Sequence, residues 1–315
     1  MKEMMVNPAV PYSYSQMLRD ILRLKDRYPK LIASKNAGFS VEGRQLPLIT
    51  LGTGRTKVFA CGAHHAREYI SSAYLMYVLN TYADAAQRGV KFGKYDMRSL
   101  LRGCSLFVMP MVNPDGVRLV QGGLKAVQDR ESVAAMMKIR PTYAEWKANI
   151  NGVDLNRQYP ALWAQKNVVA DTPASELYNG EAPATEPEVR AVMRVCRNYR
   201  LRSAVSFHTK GEVIYYADEN TNNRIVNAKA MAQRVAKVSG YALMPVSEDP
   251  GVYAAGFENW FRQAFLYPAL LVELSPSSGG TLPHDDKQFF SLVWRKAKYV
   301  CAEMMRSTLD TLTRL

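Results

Sequence analysis

The chain of 315 residues is 48% apolar and 22% charged, a composition that excludes wholesale disorder and supplies material for a large core. Its net charge of +13 favours anionic partners in general, from nucleic acid to membrane surfaces to carboxylate-rich substrates. Zinc-finger spacings, basic heptads and RNP-like strings are missing, so no nucleic-acid partner is expected, and no apolar stretch is long enough to span a membrane.

Residues 1–8 lack the apolar core of a signal peptide, from which a cytoplasmic protein is expected. Met17, Leu18, Ile21, Leu22 and Leu24 fall at helical spacing before Pro29, which predicts an amphipathic helix over 14–28, part of an N-terminal segment 1–30 packed on the remainder. Residues 31–34 and 46–51, joined through Gly38 and Gly43-Arg44, read as a hairpin. A short apolar strand over 57–62 runs directly into a helical pattern over 68–86. Residues 105–111 read as a buried strand ending at Asn113-Pro114-Asp115-Gly116, a turn signal, and 117–149 has only weak periodicity, as of an excursion. A helix over 186–199, strands over 203–208 and 213–216, a helix over 222–239, a strand over 270–274 and a long closing helix over 285–312 follow. Arg190, Arg194 and Arg197, the helical part of a basic run that continues to Arg200 and Arg202, read as a solvated helix face. Cys61, Cys104, Cys196 and Cys301 are widely separated in apolar surroundings and read as buried free thiols. This alternation predicts one α/β domain over 1–315, a sandwich with a central twisted mixed β-sheet flanked by helices.

Open α/β sheets bind ligands at the carboxyl ends of their strands, and His65, Asn113, His208 and Glu273 all fall at or near such ends. The four histidines are His64, His65, His208 and His284. A His and a Glu three residues apart on a strand-to-helix turn, as in His65-Ala-Arg-Glu68, can converge on one cation, and the distant His208 completes a His2Glu zinc site with an open position for water. Such a water has its pKa lowered to about 7. Glu273 interrupts the apolar strand Ala269-Leu270-Leu271-Val272-Glu273-Leu274, and a carboxylate there needs a partner or a task, because burying an unpaired charge is costly.

These strings resemble the zinc carboxypeptidases of the carboxypeptidase A type (M14). The match runs in order through His65-Ala-Arg-Glu68, Asn113-Pro-Asp-Gly116, Gly152-Val-Asp-Leu-Asn156-Arg157, His208 and Leu271-Val-Glu273-Leu. The resemblance implies one zinc ion on His65, Glu68 and His208, with His64 outside the ligand set, and Glu273 as the general base. It implies that Asn156 and Arg157 bind a substrate carboxylate, a task suited to a guanidinium that donates two parallel hydrogen bonds. Lys147, in Trp146-Lys147-Ala148-Asn149, matches the family's oxyanion-stabilising cation; Arg130 and Arg140 lie in the same excursion. Tyr253 matches the substrate-covering tyrosine, and Arg67 is expected either at the cleft or supporting the metal site.

The strings Trp146-Lys-Ala-Asn149, Tyr178-Asn-Gly, Thr185-Glu-Pro-Glu188 and Phe207-His-Thr-Lys-Gly-Glu-Val-Ile-Tyr215 look like a bacterial branch, the γ-D-glutamyl-L-diamino acid peptidases. That likeness implies hydrolysis of the γ-D-Glu to diamino acid bond of peptidoglycan stem peptides, in cell wall recycling or sporulation. Glu258 matches by position the residue that sets side-chain preference in the pancreatic enzymes, and an acid there suits a diamino acid's ammonium. Rival readings are a metallocarboxypeptidase trimming basic C-terminal residues from ordinary peptides, and a noncatalytic binding protein on the same fold.

Overall fold

The computed structural model describes residues 4–137, 142–278, 280 and 282–312. In chain order the strands are β1 (Ile32–Phe39), β2 (Gln45–Leu51), β3 (Thr56–Gly62), β4 (Lys91–Phe92), β5 (Tyr95–Asp96), β6 (Cys104–Met109), β7 (Leu201–Thr209), β8 (Val213–Tyr215), β9 (Ala242–Leu243) and β10 (Ala269–Leu274). The helices are α1 (Tyr14–Arg27), α2 (Ile70–Arg88), α3 (Met97–Gly103), α4 (Pro114–Gly122), α5 (Arg130–Ala135), α6 (Pro187–Asn198), α7 (Ala228–Ser239), α8 (Pro250–Tyr253), α9 (Phe257–Phe265), α10 (Arg295–Ala297) and α11 (Val300–Leu312).

Eight strands form one mixed sheet in the order β1-β2-β6-β3-β7-β10-β8-β9, while β4 and β5 pair separately. The four central strands β6, β3, β7 and β10 are mutually parallel, so their carboxyl ends share one edge of the sheet. Successive side chains in a strand point to opposite faces, and the two cores obey this alternation. Val58, Ala60, Leu106, Val108, Val205 and Phe207 join the core under α1, α2, α7 and α11. Phe59, Cys61, Phe107, Met109 and Ala204 join the opposite core, under α6 and α9. The expected helix-flanked mixed sheet is therefore present. All four cysteines are buried and free, and Arg190, Arg194 and Arg197 lie exposed along α6. No helix among the described residues is long and apolar enough to cross a membrane.

Three local expectations are corrected. Asn113-Pro114-Asp115-Gly116 starts a helix instead of making a turn: Asn113 Oδ1 caps α4 by accepting from Gly116 N at 3.0 Å, and proline fits the first helical position, where its missing N–H costs nothing. Residues 285–312 are not one helix but a 3-10 turn, a π-helical stretch at Phe290–Trp294, then α10 and α11. The helix expected over 222–239 begins only at Ala228, because Asn227 sits in the left-handed region with φ of 69°.

The N-terminal segment is pinned by polar and apolar contacts together. Val6 N donates to Asn80 Oδ1 of α2 at 3.0 Å, and Tyr12 Oη donates to the buried Asp20 at 2.8 Å. Met17, Ile21 and Leu24 bury the inner face of α1. On the other face of the sheet, Asp218 anchors α9 as a buried acceptor. Arg262 donates to it through Nε at 3.0 Å and Nη2 at 2.8 Å, Asn259 adds a bond at 2.9 Å, and Thr221 contributes its amide and hydroxyl. Arg262 also reaches the Ala269 carbonyl at 2.7 Å, tying α9 to the start of β10. Removing one partner of a buried pair strands the other charge, at a cost of about 3–5 kcal/mol. Urea unfolding of Arg262→Met is expected to show a loss in that range, and a loss under about 1 kcal/mol would refute the anchoring role.

Candidate active site

Parallel pairing fixes the site. Glu273 of β10 lies directly opposite His208 of β7, and Gly62, the last residue of β3, lies opposite Phe207. By strand alternation His208, Ser206 and Glu273 project on the α9 face, away from Phe207 and Val272. After Gly62 the chain enters Ala63, a non-glycine residue at φ of 47°, stabilised by the Ser71 hydroxyl accepting from its amide at 2.8 Å. This strained turn delivers His64 and His65, and the helix expected from residue 68 instead opens with a 3-10 turn at Ala66–Glu68 before α2. The tighter turn brings Glu68 back toward His65.

The three proposed ligands converge. His65 Nδ1 lies 2.8 Å from Glu68 Oε1, His208 Nδ1 lies 3.1 Å from Glu68 Oε2, and the two Nδ1 atoms are 3.0 Å apart. Among the described residues this is a buried set whose ligand atoms all lie within 4.8 Å of one another. The two Nδ1 atoms and the Glu68 carboxylate face one point, an arrangement that a cation held between them would satisfy. The remaining nitrogen of His65, Nε2, sits 3.1 Å from Asp154 Oδ1. That carboxylate holds the proton on Nε2 and leaves the Nδ1 lone pair free for a metal, the carboxylate–histidine arrangement common at zinc sites. A donor set of two imidazoles and one carboxylate fits zinc. His64 points elsewhere, with its Nε2 2.8 Å from the Tyr159 hydroxyl, as its place outside the ligand set requires.

Asp154 lies within the Gly152–Arg157 motif, and its sequence context alone marks no role for it at the metal site. It is fully buried, and beside His65 it meets Lys147 Nζ at 2.8 Å and Arg157 Nε at 3.6 Å. Burial works against its charge, but Lys147, His65 and Arg157 hold its carboxyl well below the usual range. Glu68 is likewise held low, the pull of His65 and His208 outweighing its burial. A capping signature was available for Asp154, whose Oδ1 also accepts from Asn156 N at 3.1 Å.

Lys147 is set by its neighbours. Trp146 is fully buried and donates its indole N–H to Ala148 O at 2.9 Å, while Lys147 O accepts from Ala66 N at 3.0 Å, joining this loop to the ligand turn. Gly116 backs the same junction, because a Cβ there would fall 2.7 Å from Ala66 Cβ and 2.8 Å from Ala148 O. Arg67 donates to Glu145 O at 2.7 Å and pairs with Glu176 at 3.0 Å. Arg130 is exposed on α5, and Arg140 lies outside the described residues.

Glu273 lines a cavity of about 240 Å³ together with Asn156, Tyr253 and Glu258. Its Oε2 has no hydrogen-bond partner among the described residues. Burial, and the neighbouring Glu68 and Glu258 carboxylates, push its pKa well above the ordinary 4.5 despite the opposing pull of Lys147. Asn156 Oδ1 accepts from Phe257 N at 2.9 Å, fixing the start of α9. Arg157 donates to Asn167 O and Asn179 Oδ1, both at 3.2 Å. Glu258 is buried, with the Ser206 hydroxyl donating to it at 3.4 Å.

If Asp154 sets the His65 tautomer, Asp154→Asn is expected to weaken zinc about 10- to 100-fold in competition with a chelator, with the fold intact by circular dichroism. Unchanged affinity would remove Asp154 from the metal site.

Comparison with known proteins identifies the family. A family profile described as zinc carboxypeptidase matches residues 17–269. A γ-D-glutamyl-L-diamino acid endopeptidase 1 of Lysinibacillus sphaericus is 35% identical over 287 residues, covering 90% of this chain and 70% of that protein. Carboxypeptidase B of Astacus astacus is 27% identical, over 65% of this chain and 63% of its own length. Bovine thrombin-activatable fibrinolysis inhibitor, solved with a tick carboxypeptidase inhibitor, shares the fold at a TM-score of 0.75 and 20% identity, over 96% of this chain and 99% of that one. With most of its length matched by the profile and by a relative at 35% identity, the chain belongs to the zinc carboxypeptidase family of metallopeptidases.

Proposed function

We propose that this metallopeptidase hydrolyses the amide between γ-D-glutamate and a diamino acid in peptidoglycan stem peptides. The observation that carries the reading is Glu258, a buried carboxylate lining the same cavity as Glu273, where it suits a side chain ending in an ammonium. The printed activity of the Lysinibacillus sphaericus relative supports it. A net charge of +13 also suits a substrate bearing several carboxylates.

His65, Glu68 and His208 would hold a zinc ion in this reading, and zinc bound there would supply a polarised carbonyl and a water of lowered pKa. Glu273 takes a proton from the attacking water and returns it to the leaving amine as the new C–O bond forms and the C–N bond breaks. A raised pKa suits both halves of that transfer, since the group must accept and then release one proton. Lys147 faces the developing oxyanion, held in place by Asp154. Arg157 and Asn156 bind the carboxylate of the leaving residue, Tyr253 covers it, and Arg67, braced by Glu176, borders the cleft.

Glu273→Gln is expected to lower kcat about 10²- to 10⁴-fold while zinc content stays at one per chain. Zinc-loaded variant with unchanged turnover would remove Glu273 as the base. Because the base must be ionised, wild-type kcat/KM is expected to fall as pH drops through a value above 4.5, and a profile flat down to pH 4.5 contradicts the assignment. The substrate is tested by assaying L-Ala-γ-D-Glu-meso-diaminopimelate against a peptide with C-terminal lysine. Preference for the lysine peptide would favour an ordinary basic-residue carboxypeptidase.

A further inference from the structure

The cavity beside Glu273 holds a cation that this mechanism leaves unused. Lys166 follows the 3-10 turn Trp163–Gln165 and lines the cavity with Asn156, Tyr253 and Glu258. Its ammonium donates to the Val252 carbonyl, next to Tyr253. Arg262 lines the same cavity but is already committed to Asp218 and the Ala269 carbonyl, whereas Lys166 forms no ion pair among the described residues. Glu258 is in the same position: the Ser206 hydroxyl contacts it, and no described cation is paired with it. Besides the proposed base Glu273, this small cavity thus presents the buried Glu258 carboxylate and the half-buried Lys166 ammonium, neither of them in an ion pair among the described residues.

The side chains of the two common stem-peptide diamino acids differ in this respect. Lysine ends in an ammonium alone. Diaminopimelate ends in an ammonium and a carboxylate on the same carbon. A pocket built for lysine needs only the acid, and a second cation there would repel the ligand. We propose that Lys166 and Glu258 act together as a specificity pair, Lys166 binding the side-chain carboxylate and Glu258 the side-chain ammonium, so that the pocket selects diaminopimelate over lysine. The inference rests on the reading of this enzyme as a hydrolase of γ-D-glutamyl diamino acid bonds and names which diamino acid it takes.

The electrostatics agree with the geometry. Burial and the nearby Arg157 lower the Lys166 pKa to about 8, so the ammonium is charged at neutral pH in surroundings that favour an incoming anion. Charge-assisted hydrogen bonds of this kind discriminate by about tenfold to a hundredfold.

The test uses the zinc-loaded Glu273→Gln protein, which binds without turnover, and three L-Ala-γ-D-Glu tripeptides, ending in meso-diaminopimelate, in the same residue with its side-chain carboxylate amidated, and in L-lysine. Calorimetry is expected to give at least tenfold tighter binding of the first than of the other two. Adding Lys166→Met should erase that preference while leaving the lysine peptide within threefold, and Lys166→Arg should retain it. Equal affinity for the three peptides, no binding of any, or a preference untouched by Lys166→Met overturns the proposal. So does a uniform loss across the three, which would assign Lys166 to the terminal carboxylate or to the loop's structure. Turnover by the wild type is scored separately: tight, selective binding without cleavage would sink the proposed reaction and leave the specificity pair standing.

Discussion

Parallel pairing of β7 with both β3 and β10 is the constraint on which the site depends. It places His208 beside Glu273 in register and brings the end of β3 level with them, so one proposed metal ligand, the proposed base and the turn carrying the other two proposed ligands meet at one sheet edge. A slip of one residue in β10 would turn Glu273 into the core occupied by Val272 and Leu274. The apolar alternation on both faces therefore guards the catalytic geometry as well as the fold, because the residues that cannot face water are interleaved with those that must face the cleft.

Within that edge, buried charges are arranged so that each acid has a different environment. Asp154 is surrounded by Lys147, His65 and Arg157 and stays ionised. Glu68 faces two imidazoles and stays ionised as well. Glu273 faces Glu68 and Glu258 and is pushed the other way. Separation of carboxylates into permanently charged supports and one of raised pKa is the pattern expected where one group must exchange a proton. The supports also explain the loop architecture: Trp146, Gly116 and Asn113 hold the Lys147 loop against the turn that carries His65 and Glu68.

Much of this was legible in the residues. The strand over 57–62, the helices near 14–28 and 186–199 and the strand at Glu273 were readable because each has a strong local period, and the ligand pair His65 and Glu68 because three-residue spacing on a turn is itself geometric. Other parts were not. Asn113-Pro114-Asp115-Gly116 has the composition of a turn and of a helix start alike, and what separates them is whether α4 finds a surface to pack on. The closing segment 285–312 is apolar at helical spacing, yet its first third winds as 3-10 and π turns where Phe289, Phe290 and Trp294 meet Tyr77 edge-on. Lys166 sits in a stretch without periodicity, so nothing local marks it as part of a pocket.

By itself, then, the sequence determined the fold class and the family and pointed to a candidate metal-ligand set, because its ordered motifs are built from residue types with few alternative uses. Only the tertiary structure decided that Asp154 orients His65 and that Lys166 and Glu258 share a cavity. Those residues lie on loops and on α9, and their neighbours are distant in the chain. Their meaning depends on which charges a fold brings within a few ångströms of each other, and electrostatic energy is set by that distance and by burial rather than by order along the chain.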